Sequence, residues 1–287
     1  MGRSMTVEQC DSGGVPARDA SFSRQSALNS ENVMRRGRRA TSAVAVAAAG
    51  LYLASVVGVG VAPAGATTLS GKGVISLTQQ ALSKEKTLHY VVVDSRSNSK
   101  TVVTYAGNVG RSSGIQTITE KTKFGEGKAT IIVIGSRSYV RGNLVGLRFL
   151  AAFPQNQVVG LVGKWIEVPS SDHSIYQNLA AAVTLPSVFN EVTLGGHLVD
   201  AGLVTVSGHE YYNLRATTKV VGTGSAVSTL LVSSSKPNLP FRYSVITKTA
   251  KQTETVHELF DRWGESLSVK APAGAKLYKV RSTTAVI

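Results

Sequence analysis

Apolar and polar residues alternate along much of this chain, give way to helical spacing in the middle, and then alternate again. Leu69, Val74, Leu77, Ala81 and Leu82 recur close to a helical stripe, which predicts an amphipathic helix over 69–84. Strands are predicted at 88–94, 101–106, 115–124, 129–134 and 138–141, with polar or glycine-rich turns at 95–99, 107–114, 125–127 and 135–137. The middle reads as a strongly apolar helical stretch over 144–162, broken by Pro154, then a short strand at 165–169 and helices at 174–184 and 187–194. Strands resume at 198–206, 209–217, 227–233, 241–248 and 254–260. Strands, a helical insert and more strands, without an interior linker or repeat, predict one α+β domain over 67–287, built on a long antiparallel sheet.

A different pattern precedes it. Arg35, Arg36, Arg38 and Arg39 lead into an uncharged apolar run over 43–61, closed by Pro63-Ala64-Gly65-Ala66. A basic region, an apolar region and a small-x-small site are the three parts of a secretory signal over 34–66. Ala64 and Ala66 fit the peptidase, with cleavage before Thr67; left uncut, the run is long enough to act as a signal anchor. Residues 1–33 are polar, without periodicity, and read as a disordered extension or a mis-called start. The expected place of work is therefore the cell envelope or the extracellular space.

The whole chain carries a formal charge of +14. Its basic residues are scattered singly outside the leader, which is not a nucleic-acid footprint. Two readings of that charge remain, solvation and weak attraction to an anionic membrane or wall surface. The single cysteine, Cys10, precedes the signal, so the domain has no disulfide and is held by its core, as an expected monomer.

No catalytic frame is legible. Gly110-Arg111-Ser112-Ser113-Gly114 matches a nucleophile elbow by letter, but it sits between antiparallel strands and reads as a turn. The five histidines are dispersed and offer no metal spacing. Glu254 and Glu258 read as a solvated strand face. No phosphate or dinucleotide loop occurs, so no cofactor and no enzymatic activity are expected.

Surplus apolar surface is what the chain does offer. Ile131, Ile132, Val133 and Ile134 are apolar on both faces of one strand. Leu144, Leu147, Leu150, Phe153, Leu161 and Val162 recur more densely than one packed stripe needs. Ile131 and Val133, with Tyr139 by its shared parity across the turn, are expected to face them and line an apolar cavity. The alternative is a core closed by its own side chains, as in a structural or interaction module. Trp165 is expected to lie largely buried at the core edge.

Several short tracts occur in a distinctive order. They are Tyr139-Val140-Arg141-Gly142-Asn143, Gly163-Lys164-Trp165-Ile166-Glu167-Val168-Pro169, Leu239-Pro240-Phe241-Arg242, Phe260-Asp261-Arg262-Trp263-Gly264-Glu265 and Ala271-Pro272. In this order the chain resembles the LolA/LolB-like lipoprotein-carrier superfamily, in its actinobacterial LppX/LprG-type branch, over most of 69–276. The resemblance implies a strongly curved, incomplete antiparallel barrel with helices across its concave mouth. It also implies a lipid or acylated glycolipid as ligand. Many relatives end their signal in a lipobox cysteine; Ala64-Gly65-Ala66-Thr67 has none.

Overall fold

The computed structural model describes residues 69–278, apart from 100, 123–124, 182, 191, 193 and 221–223. The signal region, with Ala64, Ala66 and Thr67, and the 1–33 extension lie outside the described residues.

Helix α1 spans Gly71–Lys84. Ser70 caps it, its Oγ accepting from the Gly73 amide at 3.2 Å. Five strands follow as a meander: β1 Thr87–Arg96, β2 Thr101–Gly110, β3 Ser113–Thr122, β4 Gly125–Ile134 and β5 Arg137–Gly142. The expected helix over 144–162 is instead three short pieces: a π-helical turn Gly146–Leu150, α2 Gln155–Val158 and a 3-10 turn Val159–Leu161. Pro154 interrupts the spiral, and Gly146 is pressed against the Lys128 backbone where no side chain would fit. Then come β6 Ile166–Pro169, α3 His173–Ala180 and α4 Leu185–Phe189. The second meander is β7 His197–Val206, β8 His209–Val220, β9 Gly224–Ser233, β10 Pro240–Lys248 and β11 Thr253–Asp261. A two-residue strand, β12 Lys276–Leu277, ends the described chain.

All twelve strands form one curved, unclosed sheet in the order β12-β6-β5-β4-β3-β2-β1-β11-β10-β9-β8-β7. The two meanders meet where β1 pairs with β11, and only the β12–β6 pair is parallel. The antiparallel reading holds, and the strands are longer than their apolar cores suggested. The expected turn over 107–114 shrinks to Arg111 and Ser112, because β2 runs on to Gly110.

Period two assigns the faces. Leu88, Tyr90 and Val92 of β1 define the inner face, and the ladders extend it to Val103, Tyr105 and Val109 on β2 and to Ile131 and Val133 on β4. On the other side it runs through Phe260, Tyr243, Leu230 and Leu214. Beyond β11 the chain turns back. The Gly264 amide donates to the Thr87 carbonyl, Leu267 lies against Gly110, and the Lys276 amide donates to the Trp165 carbonyl at 2.9 Å. Trp165 is half-buried and outside both core clusters, since Ile166 and Val168 take the inward positions of β6.

Candidate functional site

The inner face carries two apolar clusters, and they differ in how completely they are filled. The first gathers Ile131, Val133, Val140, Ile166 and Val168 from β4, β5 and β6. Leu147, Ala151, Phe153 and Val158 of the insert, with Leu179 and Val183 of the α3 region, close over them. The Phe153 ring meets Tyr278 edge-on at 5.1 Å. Ile131, Val133 and Leu147 are 0–2 % exposed, so this half is sealed by its own side chains.

Most of the residues expected to line a cavity are therefore core. Ile131, Val133, Leu147 and Phe153 belong to the sealed cluster, and Leu150 and Leu161 pack half-buried against it. Leu144 and Val162 lie on the surface at 48 % and 39 % exposure. Tyr139 points the other way: it pairs with Ile132, so both occupy the outer face, where both are buried. The parity inference fails because Gly135-Ser136 is a two-residue turn that pairs Ile134 with Arg137, which reverses odd and even between the strands.

The second cluster lies between α1 and α4 on one side and β1 and β8–β11 on the other. Val74, Leu88, Tyr90, Leu185, Val188, Leu214, Leu230, Tyr243 and Phe260 are buried in it. Helix α1 starts against Leu198 and Leu214, and at its far end Arg111 donates to the Ser83 carbonyl, so α1 reaches from β7 and β8 to the β2–β3 turn. On the same inner face Leu198, Tyr212, Val245 and Val256 are half-buried against this cluster, and Tyr105 is half-buried against both clusters. Thr78, on the buried side of α1, has an Oγ1 with no hydrogen-bond partner. A buried hydroxyl left unmet costs about 1–3 kcal/mol.

A polar band crosses the inner face near the β1–β2 turn. Arg96 donates to Glu254 at 3.0 Å and lies 3.8 Å from Asp94. Glu120 and Glu258 are buried in the same band, and Gln116 donates to the Tyr90 hydroxyl. Burial pushes the Glu120 carboxyl above its ordinary range, with Arg96 opposing and Asp94 reinforcing the rise. Glu254 and Glu258 thus face inward. The solvated-face reading is corrected: Glu254 meets Arg96 of β1, distant in sequence, and Glu258 is buried opposite Val92.

At the opposite end of the sheet a cleft of about 490 Å³ opens, bounded by the β7–β8 turn, the β9–β10 loop and the end of β11. Phe241 stacks on Tyr211 at 4.7 Å, and Trp263 stacks on Phe189 at 5.7 Å. Phe241, Phe260 and Trp263 all line it, so two tracts distinctive in the sequence converge there. Its volume falls in the range of small-molecule sites, about 300–1,000 Å³.

Among the described residues no group of three or more His, Cys, Asp or Glu side chains is placed to hold a metal. None of the described helices is long and apolar enough to cross a membrane.

No family model matches the chain, and no curated protein matches it significantly. Solved structures do. The lipoprotein LppX of Mycobacterium tuberculosis is 11% identical, with a TM-score of 0.41 over 70% of this chain and 100% of its own. An uncharacterized conserved protein of Thermus thermophilus is 6% identical, with a TM-score of 0.39 over 73% of this chain and 99% of its own. A putative outer membrane lipoprotein-sorting protein domain of Vibrio parahaemolyticus is 6% identical, with a TM-score of 0.25 over 68% of this chain and 93% of its own.

Proposed function

We propose that this chain is an exported, non-enzymatic lipid carrier of the cell envelope, holding acyl chains between α1 and the inner face of β1, β2 and β8–β11. The observation that carries the reading is the contrast between the two halves of that face. The insert and the α3 region close over the Ile131 half, whereas Leu198, Tyr212, Val245 and Val256 keep accessible surface on the other half. Each methylene moved there from water contributes about 0.8 kcal/mol, so a long chain binds without specific polar contacts. The unpartnered Thr78 hydroxyl suits an ester or amide oxygen at the head of such a chain. The cargo is a lipid or acylated glycolipid. Helices α1 and α4 serve as its cover, and the exported domain begins at Thr67 as a monomer.

Lipid extraction and mass spectrometry of natively purified protein test the reading. Stoichiometric acylated cargo is the expected result. The sealed Ile131 cluster favours a second reading, an envelope interaction module whose whole interior closes on itself. A protein that purifies empty and takes up no fluorescent fatty acid would establish that one instead.

A further inference from the structure

Among the described residues nine large hydrophobic side chains are exposed, and four of them, Leu144, Phe149, Val159 and Val162, sit on the short insert between β5 and β6. Val159 is 77 % exposed. The two ends of the insert are tied together: the Gly163 amide donates to the Gly142 carbonyl at 2.9 Å, which brings Val162 beside the segment carrying Leu144. Their partners Leu147, Phe153 and Val158 are anchored in the sealed cluster, so the exposed residues stand on a fixed base.

Charge is as uneven as hydrophobicity. From 127 to 166 the chain has no Asp or Glu. Lys128, Arg141, Arg148 and Lys164 are all exposed in this stretch. Arg148 lies over the Phe149 ring at 4.7 Å, and Lys164 donates to the Gly160 carbonyl at 2.8 Å. In the fold, Glu120 pairs with Gly127, against which Val145 of the insert rests, and Asp172 bears on Tyr278 beside Phe153; along the sequence, acidic residues flank the stretch only at its margins. Glu126 precedes the stretch, and Glu167 ends it, held by Arg137 at 3.0 Å.

We infer that this insert docks the protein on a membrane whose surface lipids are anionic. Side chains of this size reach the interfacial zone of a bilayer while cations at their base meet headgroup phosphates. Solvation alone accounts for the cations but not for four exposed apolar side chains on one insert. The placement also suits exchange. Gly127, against which Val145 of the insert rests, shares one row of the inner face with Glu120, Val103, Asp94, Val256 and Val245, so the insert is level with the half-exposed valines. The inference goes beyond the carrier reading, because it concerns a surface that holding cargo does not use.

The test uses the full chain with Cys10→Ser and an environment-sensitive fluorophore on Val159→Cys, so that anchoring by the leader does not mask the insert. Phosphatidylcholine vesicles with phosphatidylglycerol should blue-shift the emission, and pure phosphatidylcholine should not. Arg148→Gln and Lys164→Gln should each weaken the response about fivefold, with unchanged melting temperature. The same fluorophore on Lys219→Cys should not respond. An unshifted Val159 probe, or equal shifts at both positions, would overturn the inference. So would a shift that grows with protein concentration without vesicles, which would assign the patch to a second copy. Cargo is read separately by mass spectrometry, so docking and carriage can fail independently.

Discussion

Gly114 lies directly beneath the main-chain carbonyl of Val183, and a methyl group on Gly114 would overlap that oxygen. Gly114 is the last letter of a tract that resembles a nucleophile elbow, yet its role is contact: it lets the segment joining α3 to α4 settle onto β3. Since the obstacle is backbone, it cannot swing aside as a side chain would. Gly114→Ala should therefore lower stability by about 1–3 kcal/mol, the usual cost of overpacking. Chemical denaturation of the two proteins checks this, and an unchanged midpoint would show that the segment is free to lift.

Glu120 should make stability depend on pH in an unusual direction. Its carboxyl is held above its ordinary value of 4.5, chiefly by burial. A raised carboxyl contributes stability that is complete below the ordinary value and lost as pH rises through the raised one. Glu120→Gln should therefore melt higher than the parent at pH 7, with the two converging near pH 4. A variant less stable at pH 7 would mean that attraction to Arg96 outweighs burial.

Alternation made the sheet legible, and the helical break in the middle was legible as a break. What escaped had causes outside local sequence. Gly107 looked like a turn because it is a glycine, but the Tyr90 ring of the neighbouring strand occupies the space above it. Glu254 looked solvated because its companion, Arg96, is 158 residues away, and Glu258 because the strand that buries it, β1, is equally distant. Tyr139 was assigned to the wrong face because parity across a hairpin depends on turn length, which the pattern left open by one residue. β12 is two residues long and parallel, too short for any pattern to announce.

Thr78→Val tests the unpaired hydroxyl under α1. Removing a buried polar atom without a partner should stabilise the empty protein by about 1 kcal/mol. It should also weaken binding of an esterified lipid more than binding of a hydrocarbon chain of equal length. Equal loss for both ligands would place the hydroxyl away from the headgroup.

Two tryptophan substitutions distinguish the halves of the inner face. Val133 is 1 % exposed within the sealed cluster, with Ile131 two residues away and the insert above it. Val133→Trp has nowhere to go and should destabilise by about 1–3 kcal/mol or more. Val245 pairs with Val256 on the other half of the inner face, and both keep accessible surface. Val245→Trp should fill that space, leave the melting temperature nearly unchanged and abolish fluorescent fatty-acid uptake. The pair is informative because the two changes add the same volume to valines on the same face. If Val245→Trp destabilises as much as Val133→Trp in a protein that takes up no lipid, the interior is closed throughout and the carrier reading fails. If Val245→Trp folds well and uptake persists, the chain is held elsewhere, and the cleft beside Phe260 and Trp263 becomes the place to look.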